Sequence, residues 1–283
     1  MLFAGPVETG MKLWYQSMTR VDVFGSYLDA LRRLLDGLKR PDTTIDVHGI
    51  TRVGGLGRQQ SYLDYLEMAE VLDNVARASR EGYDAFLVGH FTDSALHEAR
   101  ETTRMPVLGL CESTLHVACL MGASFSLVTL SEKSRAHVLA NVRRYGLDLH
   151  LAEAPTLALD RPIDLDRAFA DPAESTRVCD QFLVAAREST ARGAEVVIAA
   201  GGVLMALLAR AGIHEVRPGV PLLNGITALV KAAEMVVDMN RIMGGAFVSK
   251  RLTYAPPPAA QLAEIRRHYG KDVYPEDGPP PAT

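Results

Sequence analysis

The stretch "AFLVGHFTDSALHEA", residues 85–99, runs an uncharged apolar segment into Gly89 and then presents His90, Phe91, Thr92 and Asp93 before a helical pattern begins. A strand that ends in glycine and hands over to a helix leaves its tip at a crevice, where ligands bind in open α/β sheets. Imidazole ordinarily titrates near pH 6.5, so a histidine at such a tip can take or give a proton at neutral pH. It can also cap the next helix or bond a loop carbonyl, but its place at the strand tip favours chemistry.

Other groups able to do chemistry stand at comparable junctions. Glu112 follows the apolar run "MPVLGLC" at a helix start, where its carboxylate gains from the helix dipole, orients His90 or serves as the complementary acid. Cys111 beside it is either a thiol activated at a helix N-terminus or a small buried apolar residue. Thr129 ends the run "FSLVT", and Ser131 reads as the N-cap of the following helix. Gly201 and Gly202 bring bare backbone to another helix start, a ready anion site or simply a tight turn. Asn224 stands at the last strand tip, and Tyr15 and Ser17 at the end of the first. The candidate site therefore comprises His90 and Glu112 as catalytic residues. Tyr15, Ser17, Asp93, Cys111, Thr129, Gly201, Gly202 and Asn224 are its substrate-binding candidates.

Metal and nucleotide chemistry find no motif. His90, His97 and His116 fall on different elements, and neither HExxH nor HxH spacing occurs, so no metal is expected. The chain lacks GxGxxG, and "VGGLGRQQ" lacks the Lys-Ser/Thr of a phosphate loop, so nucleotide binding is not expected.

The elements that must position these groups alternate along the chain. Short, uncharged, β-rich runs predict strands at 12–16, 44–48, 85–89, 107–110, 125–129, 149–152, 195–200 and 221–223. Amphipathic patterns between them predict helices near 23–39, 61–82, 94–103, 113–121, 132–145, 172–193, 204–211 and 226–241. Uncharged strands of this length are buried on both faces, as in parallel sheets built from βαβ units. "MPVLGLCESTLHVACLMG" and "VPLLNGITALVKAAEMVV" echo each other, suggesting two similar halves about a pseudo-twofold axis. The expected fold is α/β, with two Rossmann-like parallel-sheet halves and a crevice between them. The halves are taken as 11–111 plus 221–241 and as 112–220. Residues 242–283 form a C-terminal extension with a short helix and a disordered end, "PEDGPPPAT". The segment 154–172 reads as a loop with a helical piece over the crevice.

Composition narrows the partners. With 283 residues, 48% of them hydrophobic, the chain can bury a sizeable core. Its net charge of −4 and lack of a basic stripe argue against nucleic acid. Three cysteines without CxxC spacing suit a reducing cytoplasm. The first residues lack a basic n-region before an apolar stretch, so no secretory signal is read there, and Met11 could equally be the initiator. The apolar runs around 113–130 and 194–209 are interrupted by glycine and a His or Glu, which excludes a membrane span.

The chain resembles the hydantoin/allantoin racemase branch of the aspartate/glutamate racemase superfamily over roughly residues 11–241. The likeness is carried by "KLWYQS", "TTIDVHGI", "GHFTDSALHEARETTRMPVLGLCESTLHVA", "FSLVTLSEKSRAHVLANVRRYGL", "GAEVVIAAGGVLM" and "VPLLNGITALVKAAEMV". It implies an active site between two halves, with one cysteine from each half facing a carbon acid and no cofactor. It places His90 at the first cysteine position and Gly202 at the second, so the two-thiol mechanism is not expected here. It also implies that the Thr129 region supplies hydroxyls and N–H groups to the substrate.

The resulting expectation is isomerase-type proton transfer on a small carbonyl, carboxylate or cyclic amide compound, with His90 as base. A lyase (decarboxylase) or hydrolase on the same scaffold and a non-catalytic small-molecule binding protein remain open. A homo-oligomer is expected.

Overall fold

The computed structural model of the chain describes residues 10–56, 60–157, 162–271 and 273–274. The first eight elements strictly alternate: β1 (Met11–Arg20), α1 (Gly25–Leu38), β2 (Thr43–Ile50), α2 (Ser61–Arg80), β3 (Ala85–Val88), α3 (Leu96–Thr102), β4 (Val107–Gly109) and α4 (Leu110–Met121). Their strands make one parallel sheet in the order β2-β1-β3-β4. Side chains alternate across it as a period of two requires. Leu13, Tyr15, Ala85 and Leu87 face the larger core, whereas Trp14, Phe86 and Val88 face a smaller one closed by α2 and α3.

The second half follows with β5 (Phe125–Val128), α5 (Glu132–Arg144), β6 (Leu151–Glu153), α6 (Pro172–Ala191), β7 (Val196–Ala199), α7 (Gly202–Arg210), β8 (Glu215–Arg217), β9 (Val220–Leu223) and α8 (Gly225–Ile242). Its sheet runs β6-β5-β7-β9-β8. Two α/β halves with parallel sheets are thus present, as the alternating pattern predicts. One strand departs from it: β8 pairs antiparallel to β9 at the edge. Its sequence, Glu-Val-Arg, exposes both charged residues, so it carries none of the apolar signal that marks the other strands.

The sequence division assigned 221–241 to the first half. In the fold β9 hydrogen-bonds β7 of the second sheet, pairing Val197 with Leu222 and Ile198 with Leu223. The chain returns to the first sheet only with α8, which packs on α4, α1, β1, β3 and β4. Helix α4 makes the reverse journey, starting beside the tip of β4 and ending where Gly122 meets Glu195 and Val196. The two crossing helices share the large core, which runs continuously through both halves. No described helix is long and apolar enough to cross a membrane.

The C-terminal extension clasps α3. Lys250 Nζ donates to the carbonyls of Arg100 at 2.6 Å and Glu101 at 3.1 Å, and Tyr254 Oη meets His97 Nδ1 at 2.8 Å. The expected short helix is α9 (Ala259–Tyr269). "PEDGPPPAT", part of 154–172 and nearly all of the residues before Met11 lie outside the described residues.

The junction of the two halves is tight at Gly225, the first residue of α8. A Cβ there would fall 2.3 Å from Thr114 Oγ1 of α4 and 2.5 Å from Met205 Cε of α7. Since Thr114 is held to Leu110 O, it cannot swing clear. Gly225→Ala is expected to cost about 1–3 kcal/mol, the usual penalty of overpacking, read as a lower urea midpoint with unchanged slope.

Candidate active site

The strand tips of the two sheets meet. An ideal Cβ built on Gly202 lies 3.4 Å from the carbonyl oxygen of Gly89, so the start of α7 abuts the tip of β3 directly. Beside this contact is a cavity of about 60 Å³, walled by Ser17, Thr19, Phe24 and Tyr27 of the first half, by Gly89 to Thr92, and by Leu130, Val138 and Ala200 to Val203 of the second. Among these lining residues none is acidic, Lys or Arg, and none is cysteine.

His90 sits in this wall. Its Nδ1 is 2.6 Å from Thr92 Oγ1, which in turn lies 2.8 Å from Ser94 Oγ. Nε2 has no partner among the described residues, so it is the nitrogen left for a ligand. Burial, with a smaller contribution from the field of His137 on α5, lowers the imidazole pKa to about 4. At neutral pH the ring is therefore uncharged and able to accept a proton. His137 was not found from sequence. Its signal was its place beside Ser134, Val138 and Asn141, which at helical spacing form the buried face of α5.

The His90 loop is held by Asp93. Its backbone is left-handed at φ 51, a conformation Asp tolerates through its short polar side chain. Its carboxylate accepts the N–H groups of Cys111 at 2.9 Å and Glu112 at 2.8 Å, and the hydroxyl of Tyr145 at 2.7 Å. From the same helix as Tyr145, Asn141 donates to Thr92 O at 2.8 Å. Asp93 thus caps the first turn of α4 from a distance and ties β3, α4 and α5 together. Burial raises its pKa to about 6, with the three donors pulling the other way.

Only part of the expected constellation converges. Ser17, His90, Gly201 and Gly202 line the cavity. Asp93 does not: it is buried beneath the tip, with both oxygens committed to α4. Glu112 also lies elsewhere, its two carboxylate oxygens paired with Arg100 of α3, so it neither orients His90 nor faces the cavity. The helix start points its side chain outward to α3 while its N–H goes to Asp93.

Cys111 is fully buried, and burial pushes its thiol well above the ordinary value instead of activating it. Thr129, also buried, gives its hydroxyl to Pro155 O at 3.2 Å. Asn224 caps α8, accepting from Ile226 N and Thr227 N, and lines a separate, largely apolar cavity of about 140 Å³ between α1, α7 and β9. Tyr15 is fully buried against Gly89, with its ring edge filling the space a Cβ there would need. Ser131 caps α5 as expected, accepting Ser134 N.

A second residue that the sequence reading missed is Tyr27 of α1, whose hydroxyl lies 3.4 Å from the ideal Gly202 Cβ. In sequence it is an ordinary apolar-face residue of an amphipathic helix. Among the described residues no cluster of three or more His, Cys, Asp or Glu is placed to hold a metal.

Removing the Asp93 carboxylate leaves three donors without their acceptor. Asp93→Ala is expected to lose about 2–5 kcal/mol in urea unfolding, and Asp93→Asn less. Asp93 with a raised pKa contributes stability that is full below about pH 4 and lost as pH rises through about 6. The advantage of wild type over Asp93→Asn should therefore shrink across that interval.

Residues 25–233 match the Asp/Glu/Hydantoin racemase family. The hydantoin racemase of Pseudomonas sp. (strain NS671) is 30% identical over 233 residues, which cover 82% of this chain and 88% of that one. The hydantoin racemase of Rhizobium meliloti is 29% identical over 192 residues, covering 66% and 72%. The fold matches allantoin racemase from Klebsiella pneumoniae with a TM-score of 0.73 at 23% identity, over 88% of this chain and 94% of that structure. Since the family match spans most of the chain and both sheets, the chain belongs to the Asp/Glu/hydantoin racemase family.

Proposed function

We propose that the chain is a cofactor-independent proton-transfer enzyme of isomerase type, acting on a small cyclic amide or carbonyl compound, with His90 as the general base. One observation carries the reading. An imidazole kept neutral by burial stands in the cavity where the two sheets meet, one nitrogen tied to Thr92 and the other unengaged. Thr92 defines which nitrogen acts, and Ser94 extends the hydroxyl chain by one step.

The substrate side of the reading rests on the cavity wall. No Lys or Arg lines it, so a dicarboxylate or amino acid would bring charge into an apolar space without a paired counter-ion. A neutral ring amide, of the kind the hydantoin and allantoin racemases are named for, fits that wall. The first turn of α7, entered through Gly201 and Gly202, supplies backbone N–H groups and the positive end of a helix dipole to a developing enolate oxygen. This replaces the expected help from Thr129 and Glu112, whose polar atoms are engaged elsewhere.

Three measurements test the reading. His90→Ala is expected to lower turnover by about 10²–10⁴ while leaving the circular dichroism spectrum unchanged. Equal turnover would make His90 structural. Because the imidazole pKa is lowered to about 4, its base form is complete above about pH 5. kcat/KM should rise through about pH 4 and run level to pH 8, and a limb near 6.5 would count against an enclosed base. Thr92→Ser should keep most activity and Thr92→Val should lose it.

Thiol-blocking reagents are expected to leave turnover largely intact. Cys111 and Cys179 are buried, Cys119 lies on α4, and none lines the cavity. Inactivation traced to Cys111 would overturn the assignment of the base.

A further inference from the structure

At the meeting of the two tips, the second half contributes no side chain at its closest point: Gly202 offers only backbone. A single base on the β3 tip returns a proton to the face from which it came, so inversion needs a donor on the other side of the cavity. The hydroxyl that lies against Gly202 belongs to the first half. Tyr27 lines the cavity, its hydroxyl lies against Gly202, and its main chain is gripped from the second half by Asp166, whose carboxylate accepts Tyr27 N–H at 2.8 Å. The Phe169 ring packs on the tyrosine at 5.9 Å between centroids.

The hydroxyl network orients the phenol. Ser17 Oγ accepts the N–H of Thr19 at 3.3 Å and lies 2.8 Å from Thr19 Oγ1. When Thr19 donates on both counts, the one Ser17 proton is left to act on the phenol oxygen, whose pKa Ser17 pulls down. Tyr27 then has its own proton free for the cavity. Burial keeps it on the oxygen by pushing the phenol well above its ordinary range, against the smaller opposing pull of Ser17.

We infer that Tyr27 is a second proton-transferring catalytic residue, delivering its hydroxyl proton to the substrate face that lies against Gly202. The inference rests on the proton-transfer reading above. In one direction the substrate C–H bond breaks, its proton goes to His90 Nε2 and the electron pair moves onto the neighbouring carbonyl. The O–H bond of Tyr27 then breaks as a C–H bond forms on the opposite face. Imidazolium and phenolate remain, and these are the acid and base that handle the other enantiomer in reverse, so no co-reactant is consumed.

The test uses the L-enantiomer of benzylhydantoin in D2O with the full-length enzyme, following deuterium uptake by NMR and inversion by chiral chromatography, against the uncatalysed rate. Wild type is expected to exchange and invert. Tyr27→Phe is expected to keep exchange within about tenfold and to lose inversion by about 10² or more, leaving deuterated L-enantiomer. If Tyr27→Phe inverts as fast as wild type, or loses exchange and inversion in equal measure, Tyr27 is not the second donor, and the His90 reading stands. If wild type neither exchanges nor inverts, the proton-transfer reading falls and Tyr27 with it. Should Tyr27→Phe fail to fold by circular dichroism, Ser17→Ala gives the same readout, with inversion falling about tenfold while exchange persists. Unchanged inversion in Ser17→Ala overturns the proposal.

Discussion

The carboxylate of Asp93 is the interaction on which the site depends. It brings the start of α4, the hydroxyl of Tyr145 on α5 and the left-handed turn after β3 to one point. A buried carboxylate is costly unless its lone pairs are filled, and here they are filled by donors from both halves of the molecule. The loop that carries His90 and Thr92 is therefore held by the same bonds that join the halves. Asn141 adds a further clasp on Thr92 O. A site placed this way is set by packed helices.

Around that anchor the cavity is largely apolar and without acidic, Lys or Arg side chains in its wall. Its polar groups are hydroxyls, one imidazole and helix-terminal backbone, and its remaining wall is Phe, Met, Leu and Val. In such surroundings the charged form of any titratable group is disfavoured, which is why the imidazole is depressed and the Tyr27 phenol raised. The same low polarity makes each remaining dipole count for more toward a developing negative charge. The ionised pairs, such as Arg100 with Glu112, lie away from the cavity and serve to fasten α3 to α4.

The two halves are welded by exchanged helices. Helix α4 leaves the first sheet for the second, α8 returns, and they pack along each other through one continuous apolar core. Gly225 allows the contact to close against Thr114 and Met205. Because Leu110, at the head of α4, also lies within 3.7 Å of the ideal Gly202 Cβ, this weld ends at the cavity itself. Stability and candidate-site geometry thus share residues, and a change at the helix crossing reaches the strand tips through packed elements.

Much of this was legible in the order of residues. Uncharged runs such as "AFLV", "FSLV" and "VVIA" are parallel strands because a segment buried on both faces tolerates no charge, and that requirement is local. Glycine closing an apolar run, as at Gly89-His90 and Gly201-Gly202, marks where such strands hand over to helices, so both tips could be named from the sequence. What each polar side chain does there was decided by tertiary structure. Glu112 and Cys111 look equally placed in sequence, yet Arg100 takes one and the core takes the other. Asp93 reads as a site residue until its oxygens are seen to be spent on α4. Tyr27 reads as core until the second sheet brings Gly202 against its hydroxyl. Strand and helix follow from neighbours along the chain, but the partner of a buried polar atom is supplied by residues far away in sequence. Only the folded arrangement determines which of those residues arrive.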